Sequence, residues 1–148
     1  MANKGWKLEQ METQMKVFYK GLSYELGNES RNHFVDSWRN QGFTDRSLHK
    51  WKEVKRRIQG TKEYKYPKKK GLGRRTRAIL VKSGNLRRSV RILEQAKKYV
   101  VLGSDLPYSG VHNVGTDTMP KRQFMGRSHV LERKMQKIIT NRVNKMFK

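Results

Sequence analysis

There is no cysteine among the 148 residues. Disulfides and thiolate metal sites are thereby excluded, and the chain suits synthesis and assembly in a reducing compartment. Acidic residues are scarce: 12 Asp or Glu stand against 35 Lys or Arg, a formal net charge of +23. Hydrophobic residues make up only 34% and charged ones 32%, so a large share of the chain must be solvated surface, extension or interface. No apolar run approaches the roughly 20 residues of a membrane helix. The opening Met1-Ala2-Asn3-Lys4-Gly5-Trp6-Lys7 lacks the apolar centre of a signal peptide, so a soluble protein is expected.

Chemistry-bearing patterns are also missing. The four histidines, His33, His49, His112 and His129, are not spaced as metal ligands, and no His-Glu-x-x-His accompanies them. Ser104, Asp105 and His112 lie close in sequence, but no Gly-x-Ser-x-Gly elbow presents a nucleophile. Gly71-Leu72-Gly73-Arg74 lacks the second half of either phosphate-binding glycine fingerprint. The expectation is a protein with no catalytic residues, no metal and no cofactor.

What is abundant is positive charge, and it is uneven. Residues 50–77 carry thirteen Lys or Arg against Glu53 and Glu63, and no acid follows Glu132. Such a run is usually a solvated segment; the sharper reading is a contact for a polyanion or an acidic partner, strengthened by counterion release and weakened by salt. Its candidate contact residues are Lys68, Lys69, Lys70, Arg74, Arg75 and Arg77. Tyr64, Tyr66 and Pro67 beside them suit stacking on nucleic acid, and equally an insertion that orders only on assembly.

The chain reads as one domain over residues 1–148, with an N-terminal helical part (1–57), a basic loop (58–77), a β-rich part (78–126) and a C-terminal helix (127–148). Met11, Met15, Phe18, Leu22 and Leu26 fall in a helical stripe about 80° wide. Gly27-Asn28 offers a stop, after which Phe34, Val35 and Trp38 predict a second helical segment closed by Gln41-Gly42. Residues 44–57 predict a short helix capped by Thr44 or Asp45, with Leu48, Trp51 and Val54 inward. Val90 to Leu93 and Tyr99 to Leu102 predict an antiparallel hairpin, with Leu86, Val90 and Ile92 facing in. Tyr108 to Val114 fits either a strand or a helical turn, and Met119 to Phe124 predicts a final edge strand. Ser128 is placed to cap a last helix whose stripe, Leu131, Met135, Ile138, Ile139 and Met146, also contains Arg142. That cation must snorkel, or find an acid on a neighbouring subunit.

Three ordered blocks in the second half carry a resemblance. They are Ser83, Gly84, Leu86, Arg87, Ser89 and Val90; then Gly103, Ser104, Pro107, Tyr108, Ser109, His112 and Gly115; then Met119, Pro120, Arg122, Phe124, Met125 and Gly126. They resemble the virion morphogenesis (tail completion) proteins of Mu-like phages and the related head-tail joining proteins. That family shows Thr/Ser-Gly-x-Leu-Arg-x-Ser-Ile/Val, then Pro-Tyr-Ala/Ser-x-x-His-x-x-Gly, then Met/Ile-Pro-x-Arg-x-Phe-Met/Leu-Gly. Position 109 is Ser where Ala is usual, and position 123 is Gln where a second Pro is common.

The resemblance implies a virion role at the head connector, tail tube or tail terminator, and a ring, commonly of six subunits, assembled in a bacterial host cytoplasm. The residues themselves predict an α+β fold, a small antiparallel sheet packed against N- and C-terminal amphipathic helices. Within it, Tyr108, His112 and Phe124 are expected to hold the loop after the hairpin against the sheet, His112 through a hydrogen-bonded imidazole. The competing class is a basic nucleic-acid-binding protein, although no helix-turn-helix spacing, zinc finger or RNA-binding aromatic pair is present.

Overall fold

A computed structural model describes residues 8–66 and 76–146, and it is α+β. Lys68, Lys69, Lys70, Arg74 and Arg75 lie outside the described residues. In chain order come α1 (Leu8–Asn40), β1 (Gly42–Thr44), β2 (Leu48–Lys50), a 3-10 turn (Lys55–Arg57), α2 (Lys62–Lys65), α3 (Asn85–Ser89), β3 (Arg91–Gln95), β4 (Val100–Gly103), α4 (Ser109–Val114) and α5 (His129–Met146). β1 and β2 form one antiparallel pair, β3 and β4 a second. α1 is the axis: α5 packs along it, and both hairpins lie against it.

The helix does not stop at Gly27-Asn28 but runs 33 residues without a break. The glycine there serves packing. A Cβ on Gly27 would stand 2.8 Å from Ile92 Cδ1 and 3.1 Å from Val100 Cγ1, so its absence lets the β3–β4 hairpin lie directly on the helix. The most buried line of α1 is accordingly small, Ser23, Gly27, Ser30 and Ser37, ending in Phe34 and Trp38. Ser23 and Ser30 donate to the carbonyls of Lys20 and Leu26, which permits their burial. The stripe of Met15, Phe18, Leu22 and Leu26 is only half-buried, and Leu8 and Met11 are exposed. Gly27→Val should therefore lower stability by about 1–3 kcal/mol through overpacking, read as a shift in denaturant midpoint. Gly27→Ala should cost less than the valine, since the terminal methyl of Ile92 can turn aside and alanine favours the helix, while Val100 Cγ1 at 3.1 Å must still give way.

Residues 44–57 do not form a helix. Gln41 ends α1 in the left-handed region (φ 51°), and the chain turns back as the β1–β2 hairpin, registered Gly42 to Lys50, Phe43 to His49 and Thr44 to Leu48. Asp45 caps a different helix: its carboxylate accepts from the His129 amide at 2.8 Å and its carbonyl from Val130. Ser128 caps α5, accepting from the Leu131 amide at 3.2 Å while donating to the Thr44 carbonyl at 2.9 Å. The hairpin turn is thus the seat on which α5 begins.

In the second hairpin the strands begin and end one or two residues later than the alternation predicts. A bulge between Ile92 and Glu94 turns Leu93 outward. Leu86 and Val90 are core, and Ile92 is half-buried against α1. α5 runs back along α1, tied by Lys134 to Glu29 at 2.7 Å and by Arg142 to Glu25 at 2.8 Å. The cation in the α5 stripe therefore finds its acid on α1 of the same chain, not on a neighbouring subunit. Gly21 leaves room for its guanidinium.

Met119 to Phe124 is not a strand. Its end is fastened by side chains in place of a ladder. The amides of Phe124 and Met125 donate to Asn113 Oδ1 at 2.9 and 3.0 Å, and Asn113 Nδ2 donates to the Met125 carbonyl at 3.1 Å. The Gln123 carbonyl accepts from Trp51 Nε1 at 2.6 Å, and that of Phe124 from Ser37. The Phe124 ring meets Trp38 at 4.8 Å between centroids, and Trp38 meets Trp51 edge-on at 5.8 Å. The core gathers these rings with Phe34, Phe43, Ile79, Leu86, Val90 and Leu131.

Candidate functional site

Tyr108 to Val114 resolves as helix α4, and this decides where the three sequence blocks meet. Gly84 precedes α3 at φ 80°, and Gly115 closes α4 at φ 85°, where any Cβ would also strike the backbone of Lys121. α4 and the segment after it are joined by the Arg122 amide donating to the His112 carbonyl at 2.9 Å. Ser83, Gly84 and Leu86 from the first block, Tyr108 and His112 from the second, and Arg122 from the third line one cleft of about 640 Å³.

The other block residues support that cleft or lie away from it. Ser89 shares a 2.6 Å hydrogen bond with Ser104, bracing α3 against the end of β4. Phe124 is 1% exposed in the core, Pro120 is half-buried, and Arg87 points to solvent. Arg77, the one described member of the basic contact set, stands on the cleft rim. Its carbonyl accepts from Arg56 at 2.9 Å and Arg57 at 2.7 Å, so part of the basic run clamps the returning chain.

The cleft is electrically one-sided. Arg56, Arg77, Lys82 and Arg122 line it, no acid among the described residues does, and Val54, Leu80, Val81 and Leu86 form its apolar surface. Leu80 holds a left-handed backbone (φ 56°), a conformation costly for a side chain of its size and one that tends to occur where a surface must be shaped. Arg122 is only 9% exposed; its Nε donates to the Lys52 carbonyl at 3.2 Å, and it makes no ion pair among the described residues. Burial draws its pKa below the ordinary arginine value, opposed by Glu53. That nearest acid is itself held by the Val54 amide at 2.8 Å and by Arg57.

His112 does not tie the loop through its imidazole. Its Nδ1 is buried with no hydrogen-bond partner among the described residues, and the ring stands edge-on to Tyr108 at 5.9 Å. The fastening falls to Asn113, one position on, which the block pattern passes over as a variable site. Among the described residues no group of His, Asp and Glu could hold a metal ion.

Burial lowers the pKa of His112, assisted by the Arg122 cation, and burial likewise lowers that of His33, which donates to the Thr44 carbonyl at 3.0 Å. Both are neutral in the fold where the unfolded chain would take up protons. Stability is therefore full above the ordinary histidine value of 6.5 and is lost as pH falls below it toward the folded values. The unfolding free energy should decline below about pH 6.5, by at most about 1.4 kcal/mol per pH unit for each histidine. His112→Gln should flatten that decline, as measured by urea titrations at a series of pH values.

The fold is α+β with a basic, turn-built cleft, and the sequence comparison supplies the class of protein that carries it. The family model of the phage virion morphogenesis family matches residues 51–144, and the chain belongs to that family. No curated protein and no solved structure matches it. The matched span covers all three blocks and the cleft they line, and leaves the whole of α1 and the β1–β2 hairpin outside. No helix among the described residues is long and apolar enough to cross a membrane.

Proposed function

We propose that this protein is a non-catalytic structural subunit acting in tail completion or head-tail joining, assembling as a ring in the virion of a phage or prophage. Its partners on this reading are further copies of itself and a tail tube, tail terminator or head connector protein, met during assembly in the host cytoplasm. The observation that carries the reading is the meeting of all three family blocks at one cleft of recognition character within a chain of the morphogenesis family.

The surface supports a ring as well. Leu8, Met11 and Val17 on α1 and Leu93, Tyr99 and Val101 on the second hairpin are exposed, apolar surface that a small core leaves for neighbours. Patches on different elements suit heterologous contacts, which form a ring when the rotation between subunits closes. The charge of +23 favours a second reading, a nucleic-acid-binding protein, and one experiment separates the two.

DNA binding is measured over a salt series with several duplex sequences, and mass in solution is measured with and without a tail tube or connector protein. A junction subunit gives sequence-indifferent DNA affinity that falls steeply with salt, and higher-order assembly with the partner. Sequence preference worth about 4 kcal/mol or more at physiological salt would establish the nucleic-acid reading instead.

A further inference from the structure

The cleft's chemistry specifies its occupant more closely than the family does. An arginine 91% buried with no carboxylate partner among the described residues carries a desolvation cost that the Lys52 carbonyl and the more distant Glu53 offset only in part, and an incoming anion would offset it further. Around it, cations from two separate segments, Arg56 on the 3-10 turn and Arg77 and Lys82 on the connection into α3, face the same space as Leu80, Val81 and Leu86. A ligand matched to this surface must bring an anion and an apolar group within a few ångströms of each other.

We propose that the cleft docks an acidic segment of another virion protein, one carboxylate seated against Arg122 and a leucine-sized side chain resting on Leu80, Val81 and Leu86. Several observations select this occupant. Duplex DNA offers its phosphates on a convex rod, which cannot enter a concave site to reach a guanidinium 9% exposed; a single side chain can. A second copy of this chain carries +23, so its approach to a cationic cleft is opposed by charge. The chain's own residues 67–75 hold five Lys or Arg and no acid, so they offer the cleft no carboxylate. Tyr108, 42% exposed at the mouth, provides an amphipathic ring of the kind that anchors peptide contacts.

The inference rests on the morphogenesis reading for the source of the segment, and on the cleft alone for its chemistry. The test is an NMR titration of the labelled full chain at physiological salt with a capped peptide alternating Asp and Leu. A peptide with Asn in place of Asp and a short mixed-sequence duplex are titrated in parallel. The acidic peptide should shift the amide signals of Leu80, Lys82, Tyr108 and Arg122, with the Asn peptide at least about tenfold weaker.

Because Arg77 and Lys82 are exposed, the Arg77→Glu/Lys82→Glu variant should keep its spectrum outside the cleft and lose the peptide by about tenfold or more. Equal affinity for the two peptides, shifts confined to other surfaces, or a duplex that occupies the cleft and excludes the peptide would each overturn the assignment. The broader reading is judged separately. Normal particles from phage with the double charge reversal discard the docking site alone, whereas normal particles from phage lacking the gene discard the morphogenesis role.

Discussion

Phe124→Ala is expected to lower the unfolding free energy by about 3–5 kcal/mol, the range for deleting a fully buried aromatic ring. The ring is 1% exposed and fills the space against Trp38, which itself stacks edge-on to Trp51. Its loss opens a cavity where α1, the first hairpin and the last block meet, and none of those walls can collapse freely. Phe124→Leu, which keeps most of the volume, should cost markedly less. Urea unfolding of the three proteins checks this, and an unchanged midpoint for the alanine variant would place Phe124 at a surface and dismantle the core as described.

The next largest effect is expected at Asn113. Its side chain accepts from two backbone amides and donates to one carbonyl within residues 124–125, taking the place of a neighbouring strand. Asn113→Ala strands three partly buried polar groups, at about 1 kcal/mol or more each, for a total of about 3 kcal/mol or more. Asn113→Asp keeps both acceptor contacts but sets a carboxylate oxygen against the Met125 carbonyl where a donor stood, so it should also destabilise, by about 1–3 kcal/mol. Amide hydrogen exchange at Phe124 and Met125 distinguishes the mechanism from general destabilisation. Those two amides should lose protection in the alanine variant before the α1 amides do, and simultaneous loss would contradict a local clamp.

Asn113 also shows where sequence reasoning ended. The ordered blocks single out His112 and Gly115 and treat position 113 as free, yet Asn113 holds the chain while the buried His112 Nδ1 has no hydrogen-bond partner among the described residues. The signals that were legible are those with local causes. Ser128 before an apolar stripe marked the start of α5, and alternation marked the second hairpin to within two residues. What failed depended on distant partners. Gly27 reads locally as a stop, but the hairpin 65 positions away that needs its missing Cβ lies in the fold alone.

Asp45 reads as the cap of its own helix and instead caps α5 from a hairpin turn, 84 positions away. Met119 to Phe124 has the composition of an edge strand, but Trp51, Ser37 and Asn113 claim the backbone groups that a ladder would have used. Arg122 was legible as a block residue. That its charge is buried, lacks an acid among the described residues and faces a cleft became visible only when the second and third blocks were brought together.

The central claim, that this chain builds the junction or tail end of a virion, is tested most directly by electron microscopy of particles from a phage or induced prophage in which the gene is deleted. The account predicts filled heads and separate or unfinished tails, with joined, infectious particles restored when the gene is supplied in trans. Normal yields of joined, infectious particles from the deletion would contradict it.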